Sequence, residues 1–263
     1  MPRTTRELTL GFLTLGAQAA PLDVLDAAAG AGFGAAGLRI SGRNPGDRWP
    51  PVERVRDYAA AAGVRVSSAS GYFISAQTQL EHLLATVEAA KRTGAPLILQ
   101  GCFEPDLARV AALMRDYARA AADAGLRIAL EFMPMSSIRT IAQAQQVIAD
   151  SGATNVGILI DALHFFRSGA TAQDLRSLEP ASIYLAQLCD APAQRAHEVS
   201  LFDEAMSGRL HVGDGGLDLA GLVDALPADL EIELETPVVA EAALPGLERA
   251  RSAAHKAQVF FSR

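Results

Sequence analysis

The feature that most constrains this chain is an alternation kept up from end to end. Short β-type runs take turns with helical stretches, and Gly or Pro usually marks the hand-over. The runs are Leu8–Leu13, Ala35–Ile40, Val64–Ala69, Pro96–Gln100, Leu126–Phe132, Val156–Asp161, Ile183–Cys189 and Leu230–Thr236. Ala-, Leu- and Arg-rich helical stretches separate them, including Val52–Ala62, Leu80–Thr93, Leu107–Ala124, Ile138–Ala149 and Leu217–Leu226, and a final helix is expected from about Val239 to Phe260. Eight β-α units in 263 residues give a repeat of about 33, which is what a closed parallel barrel requires. No low-complexity linker or charge block interrupts the series. The expected architecture is therefore α/β, a single (βα)8 TIM barrel domain spanning residues 1–263.

Composition excludes several function classes. The net charge of −7 leaves no basic stripe for a phosphate backbone, so a nucleic-acid partner is not expected. No stretch approaches the 18 or more apolar residues of a membrane span. Cys102 and Cys189 are too few for a disulfide framework or a thiolate metal site, and read as reduced thiols of a cytoplasmic protein. Arg3 and Arg6 ahead of an apolar stretch, with Ala17-Gln18-Ala19 behind it, imitate a secretion leader. Glu7 interrupts that basic region and Thr9, Gly11 and Thr14 dilute the apolar run, so the segment is read as the first strand. Lys91 and Lys256 are the two lysines and neither ends a strand, which argues against Schiff-base chemistry. No Gly-rich dinucleotide fingerprint follows a strand, so no nicotinamide cofactor is implied.

In this architecture the active site lies at the C-terminal ends of the strands, so polar residues ending apolar strands are the ones to examine. Strand side chains alternate between the barrel axis and the surrounding helices. In the fifth strand Ile128 and Leu130 face outward, and Ala129 and Glu131 inward. In the sixth, Ile158 and Ile160 face outward and Asp161 inward, with His164 three residues later. Gln187 shares the inward parity of Leu185 in the seventh, and Glu233 and Glu235 face inward in the eighth. Glu131, Asp161, Gln187 and Glu235 then converge at one mouth of the barrel. Three carboxylates in one dry site need a cation, or else strongly raised pKa values. An all-oxygen set suits Mn²⁺ or Mg²⁺, with Co²⁺ also accommodated and Zn²⁺ less natural.

The motifs Leu130-Glu131-Phe132, Gly157-Ile158-Leu159-Ile160-Asp161-Ala162-Leu163-His164, Gln187-Leu188-Cys189-Asp190-Ala191-Pro192 and Glu233-Leu234-Glu235-Thr236-Pro237 resemble the sugar-phosphate isomerase/epimerase family of xylose isomerase-like TIM barrels. The resemblance covers essentially the whole chain and is strongest from Leu126 to Pro237. It implies one divalent metal ion at the positions of Glu131, Asp161, Gln187 and Glu235. Many members carry His at the third of these positions; Gln187 is similar to the related 3-dehydroshikimate dehydratases. Arg209-Leu210-His211-Val212-Gly213-Asp214-Gly215 matches the family's Arg followed by Pro-Gly-Glu-Gly, but has Val212 for Pro and Asp214 for Glu. Dimers or tetramers are usual in the family, so a homo-oligomer is consistent with the resemblance.

A metal chelated by a substrate carbonyl and a neighbouring hydroxyl acidifies the intervening carbon and stabilises an enediolate. Glu131 and Glu235 are the candidate base and acid. Returning the proton to the opposite face is epimerisation, returning it to the adjacent carbon is isomerisation, and expelling a β-hydroxyl is dehydration. The expected function is a metal-dependent isomerase or epimerase of a small carbohydrate-like molecule, with a 3-dehydroshikimate-type dehydratase and a non-catalytic sugar-binding barrel as alternatives. His164 is the candidate for binding a substrate hydroxyl or shuttling a proton. Arg209 is assigned to orient substrate oxygens, and His211 lies in a long loop, Asp190–Gly216, that would fold over the site. Trp49 and Tyr72 follow the second and third strands and would give a sugar an apolar platform. Gly213-Asp214-Gly215-Gly216 has the form of a phosphate cradle, but Asp214 would repel the anion, which favours an unphosphorylated substrate. A DNA-repair endonuclease on the same fold would need histidines on early strands, and none precedes His82.

Overall fold

The computed structural model describes residues 6–262 apart from 43, 45, 46, 48 and 49. Eight parallel strands close in chain order into a barrel: β1 Leu8–Gly11, β2 Ala35–Arg39, β3 Arg65–Ser70, β4 Leu97–Gln100, β5 Arg127–Glu131, β6 Val156–Asp161, β7 Ile183–Leu188 and β8 Ile232–Leu234, with β8 pairing back onto β1. The helices are α1 Pro21–Ala31, α2 Val55–Ala62, α3 Leu80–Thr93, α4 Leu107–Asp123, α5 Ile141–Ser151, α6 Ala162–Arg167, α7 Ala172–Arg176, α8 Leu201–Ser207, α9 Leu219–Ala225 and α10 Gly246–Phe261.

The predicted side-chain parity holds. Leu97, Leu99, Ala129, Leu159 and Leu185 pack together in the barrel interior, whereas Ile128, Leu130, Ile158, Ile160, Ala186, Leu188, Ile232 and Leu234 belong to the larger layer shared with the helices. The interior cluster is a packed plug beneath the mouth, so the barrel is not a channel.

Strand ends differ from the sequence expectation where a polar side chain captures the backbone. β1 stops at Gly11, and Phe12–Leu15 turn into a 3-10 helix. The Thr14 hydroxyl donates to the Leu234 carbonyl at 2.8 Å and accepts from the Thr236 N–H at 2.9 Å. That grip ends β8 early and fixes Glu235 between two tethered residues. The final helix starts at Gly246, seven residues later than expected, because Pro245 disfavours helical backbone at Leu244; Val239–Glu241 form a separate 3-10 turn. The expected loop Asp190–Gly216 contains α8.

Replacing Leu159 by Ala opens a void in the interior plug and is expected to cost about 2–5 kcal/mol in urea denaturation. A loss below about 1 kcal/mol would mean that the plug collapses around the gap.

Candidate active site at the barrel mouth

The C-terminal rim carries a pocket whose wall includes Glu131, His164, Gln187, Arg209 and Glu235. Asp161 is fully buried and does not line it, but is joined to it through Arg209. Strand register accounts for much of the convergence: Asp161 is level with Gln187, and Gln187 with Glu233, while Glu131 ends β5 level with Leu159 and Glu235 directly follows β8.

Asp161 is also the N-cap of α6, its Oδ1 accepting the His164 backbone N–H at 2.9 Å. Capping therefore aims the carboxylate. Its Oδ2 accepts from Arg209 Nη1 at 2.6 Å, and Arg209 Nη2 stands 3.4 Å from Glu235 Oε2. Arg209 is itself buried, and its Nε donates to the Ala205 carbonyl at 2.9 Å. Helix α8 is held in turn by Arg167, whose guanidinium donates to both oxygens of buried Glu204 at 2.9 and 2.7 Å.

The electrostatics follow from burial beside the Arg209 guanidinium. Burial, then the charges of Asp161 and Glu235, push Glu131 well above the usual carboxylate range. Burial raises Glu235 to about 8, with Asp161 and Glu233 adding to the rise against the pull of Arg209. Burial would also raise Asp161, but the charge and hydrogen bond of Arg209, with His164, outweigh it and hold that carboxyl below its ordinary value. Burial pushes the His164 imidazole down to about 4, so it is neutral at physiological pH. Its Nε2 lies 3.7 Å from Glu131 Oε1, a contact between a neutral ring and a carboxyl rather than an ion pair.

Several predicted residues fall elsewhere. Tyr72 is buried away from the pocket, edge-on to the His82 ring at 6.0 Å, and the following residue, Phe73, is the one on the wall. His211 is buried against the segment after β8, its Nδ1 3.1 Å from Thr236 Oγ1 and its Nε2 3.1 Å from Glu241 Oε2, and does not line the pocket. Trp49 lies outside the described residues. The Gly213 loop wraps Asp190, whose carboxylate accepts the N–H groups of Ala191, Gly213 and Leu217, so Gly213 has no N–H left for a phosphate. Sequence reasoning missed the apolar wall: Phe12, Phe73, Phe103, Met133, Phe202 and Met206 face the carboxylates. They come from five separate segments, and no local pattern unites them.

Glu131, Asp161, Gln187 and Glu235 offer only oxygen as ligand atoms to a cation, and their charge is incompletely balanced by Arg209. That chemistry fits a hard divalent ion. Among the described residues no ready-made cluster of three or more His, Cys, Asp and Glu ligands is present, and Arg209 stands between Asp161 and Glu235.

The profile of the xylose isomerase-like TIM barrel family matches residues 25–260. The chain belongs to that family. The inosose isomerase of Bacillus subtilis (strain 168) is 29% identical over 104 residues, 39% of this chain, and that of Halalkalibacterium halodurans is 29% identical over 68 residues, 25% of this chain. These matches span 36% and 24% of the relatives' own length. Among solved structures, an IOLI protein with a bound zinc atom superposes with a TM-score of 0.80 at 16% identity, covering 97% of this chain and 98% of that one. An L-ribulose 3-epimerase gives 0.73 at 18%, covering 98% and 95%. The probable 3-DHS dehydratase AsbF from Bacillus anthracis gives 0.73 at 14%, covering 96% and 98%. At these identities the structural likeness is one of fold.

Glu235 and Glu233, the latter raised by burial to about 7, bind protons more tightly folded than unfolded. Their contribution is complete below the unfolded carboxylate pKa and is lost as pH rises through about 7 to 8. Chelator-treated protein should therefore unfold at lower denaturant at pH 9 than at pH 6. Equal or greater stability at pH 9 would contradict the burial of these groups.

Proposed function

We propose that this protein is a divalent-metal-dependent isomerase or epimerase of a polyhydroxy carbonyl compound, transferring a proton between adjacent or opposed positions. The observation that supports it most is the convergence of Glu131 and buried Glu235 on one pocket with Gln187 and a neutral imidazole, above buried Asp161 held by Arg209. Glu131, Asp161, Gln187 and Glu235 would hold one metal ion, Mn²⁺ or Mg²⁺ before Co²⁺ or Zn²⁺, in keeping with their oxygen donors. When bound, that ion polarises a carbonyl and its neighbouring hydroxyl and acidifies the carbon between them.

The protein's own groups supply the rest. Glu131 and Glu235 act as base and acid on the substrate carbon, and their buried surroundings bring carboxyl basicity towards neutral pH. His164 Nε2, beside Glu131, binds a substrate hydroxyl without adding charge. The Arg209 guanidinium, fixed by Asp161 and Ala205, neutralises the floor and orients substrate oxygens. The wall of Phe12, Phe73, Phe103 and Met133 excludes water and packs against C–H faces. Arg39, also on the wall, is committed to the carbonyls of Ser41 and Ala17. With Asp214 outside this pocket wall and the Gly213 N–H already taken by Asp190, the reading favours an unphosphorylated substrate such as a cyclic or open-chain polyol ketone.

Gln187 keeps a dehydratase of 3-dehydroshikimate type as the second reading, with the same carboxyl pair expelling a β-hydroxyl. Incubation in D₂O with inosose, ketoses and 3-dehydroshikimate separates the two. Deuterium uptake without water loss supports the isomerase or epimerase, and a new conjugated chromophore supports the dehydratase. Tight binding with neither would leave a sugar-binding barrel. Glu131→Gln and Glu235→Gln should each lower exchange at least about 100-fold with native melting behaviour. Near-wild-type exchange in either variant would remove that residue from proton transfer. Asp161→Ala should chiefly weaken metal binding, read as lower metal content after dialysis.

A further inference from the structure

The mouth leaves one buried acid unused. Glu233 lies inside the barrel, 1% exposed and level with Gln187 in the strand register. Its Oε2 accepts from the Ser68 hydroxyl at 2.9 Å, and its Oε1 accepts from Gln187 Nε2 at 2.7 Å. The same Nε2 lies 3.3 Å from Glu235 Oε1. Space for this carboxylate is made on two further strands. A Cβ added at Gly37 of β2 would stand 2.0 Å from Glu233 Oε2, and one at Gly11 of β1 would stand 2.9 Å from Oε1. Four strands thus contribute to holding one side chain that faces no solvent.

A carboxamide as metal ligand has a problem that histidine lacks. It must present its oxygen, yet a half-turn about the last side-chain bond substitutes an NH₂ group that a cation repels. An ionised carboxylate only accepts hydrogen bonds, so Glu233 and Glu235, ionised beside a bound cation, admit only the NH₂ at that end of the amide. We propose that Glu233 is a positioning residue that locks the Gln187 amide, its nitrogen held by Glu233 and Glu235, so that Oε1 is the atom offered to the cation. Ser68 holds Glu233 in turn, and Gly11 and Gly37 leave it room. This role rests on the metal-site reading above and goes beyond it by assigning the residue that makes glutamine usable at that position. Partners of ligands typically contribute about 10–100-fold in metal affinity.

Mn²⁺ affinity of the full chain, from the electron paramagnetic resonance signal of free Mn²⁺, provides the test, with chelator-treated melting curves as the fold control. Glu233→Leu removes the acceptor and is expected to weaken Mn²⁺ at least about tenfold. Glu233→Gln, which retains an acceptor oxygen for the Gln187 NH₂, should recover most of the loss. In a Gln187→Ala background, Glu233→Leu should have no further effect, because there is no amide left to orient. A loss of equal size in Glu233→Leu and Glu233→Gln, persisting without Gln187, would assign Glu233 a charge effect and overturn the positioning role. Unchanged affinity in Glu233→Leu would overturn it too, while leaving the metal site standing. Absence of Mn²⁺ binding by the wild-type chain would instead sink the metal-site reading itself. If Glu233→Leu does not fold, Ser68→Ala decides: a several-fold loss that vanishes without Gln187 supports the role, and no loss removes it.

Discussion

The Arg209–Asp161 pair is the contact on which the mouth of this barrel depends. Three carboxylates and Glu233 crowd a region that water barely reaches, and such a group is stable only with positive charge or protons supplied. Arg209 supplies one charge, at 2.6 Å from Asp161 and 3.4 Å from Glu235. Its position is itself a product of the fold. Leu210 bridges to Asp190 after β7, and Ala205 of α8 accepts from the guanidinium. Loop, helix and strand ends are therefore coupled through one side chain.

The charge that Arg209 leaves unbalanced gives the site its chemistry. Asp161, closest to the guanidinium, stays ionised, while Glu131 and Glu235 are driven towards holding protons. Carboxyls of one type thereby acquire different proton affinities from their surroundings alone. His164 is kept neutral in the same pocket, which suits hydrogen bonding to a hydroxyl rather than charge pairing. The cation that the remaining oxygens call for and the proton traffic proposed for them are two responses to one shortage of positive charge.

The apolar wall completes the site from the opposite direction. Phe12 comes from the turn after β1, Phe73 from the segment after β3, Phe103 from that after β4, and Phe202 and Met206 from α8. Apolar surface facing carboxyls lowers the local dielectric, which strengthens both the Arg209 contact and the raised carboxyl basicities. Helix α8 is fastened by the Arg167–Glu204 pair, so the wall and the charged floor share supports.

Much of this was legible in the chain itself. Period-two alternation placed Ala129, Leu159 and Leu185 inside the barrel and Glu131, Asp161, Gln187, Glu233 and Glu235 on the same inward rows, because parity along a strand is a local property. The eightfold alternation of strand and helix determined the closed barrel. The tertiary structure alone decided which loop residues reach the mouth. Arg209 turns to Asp161 while His211, two residues on, is buried against Thr236 and Glu241; Phe73 joins the wall while Tyr72 is packed on His82. Loop backbone has no fixed period, so the direction of its side chains is set by packing against elements distant in sequence. The same holds for the link between Glu233 and Gln187: parity put both inside, but only strand register brought their polar atoms to 2.7 Å.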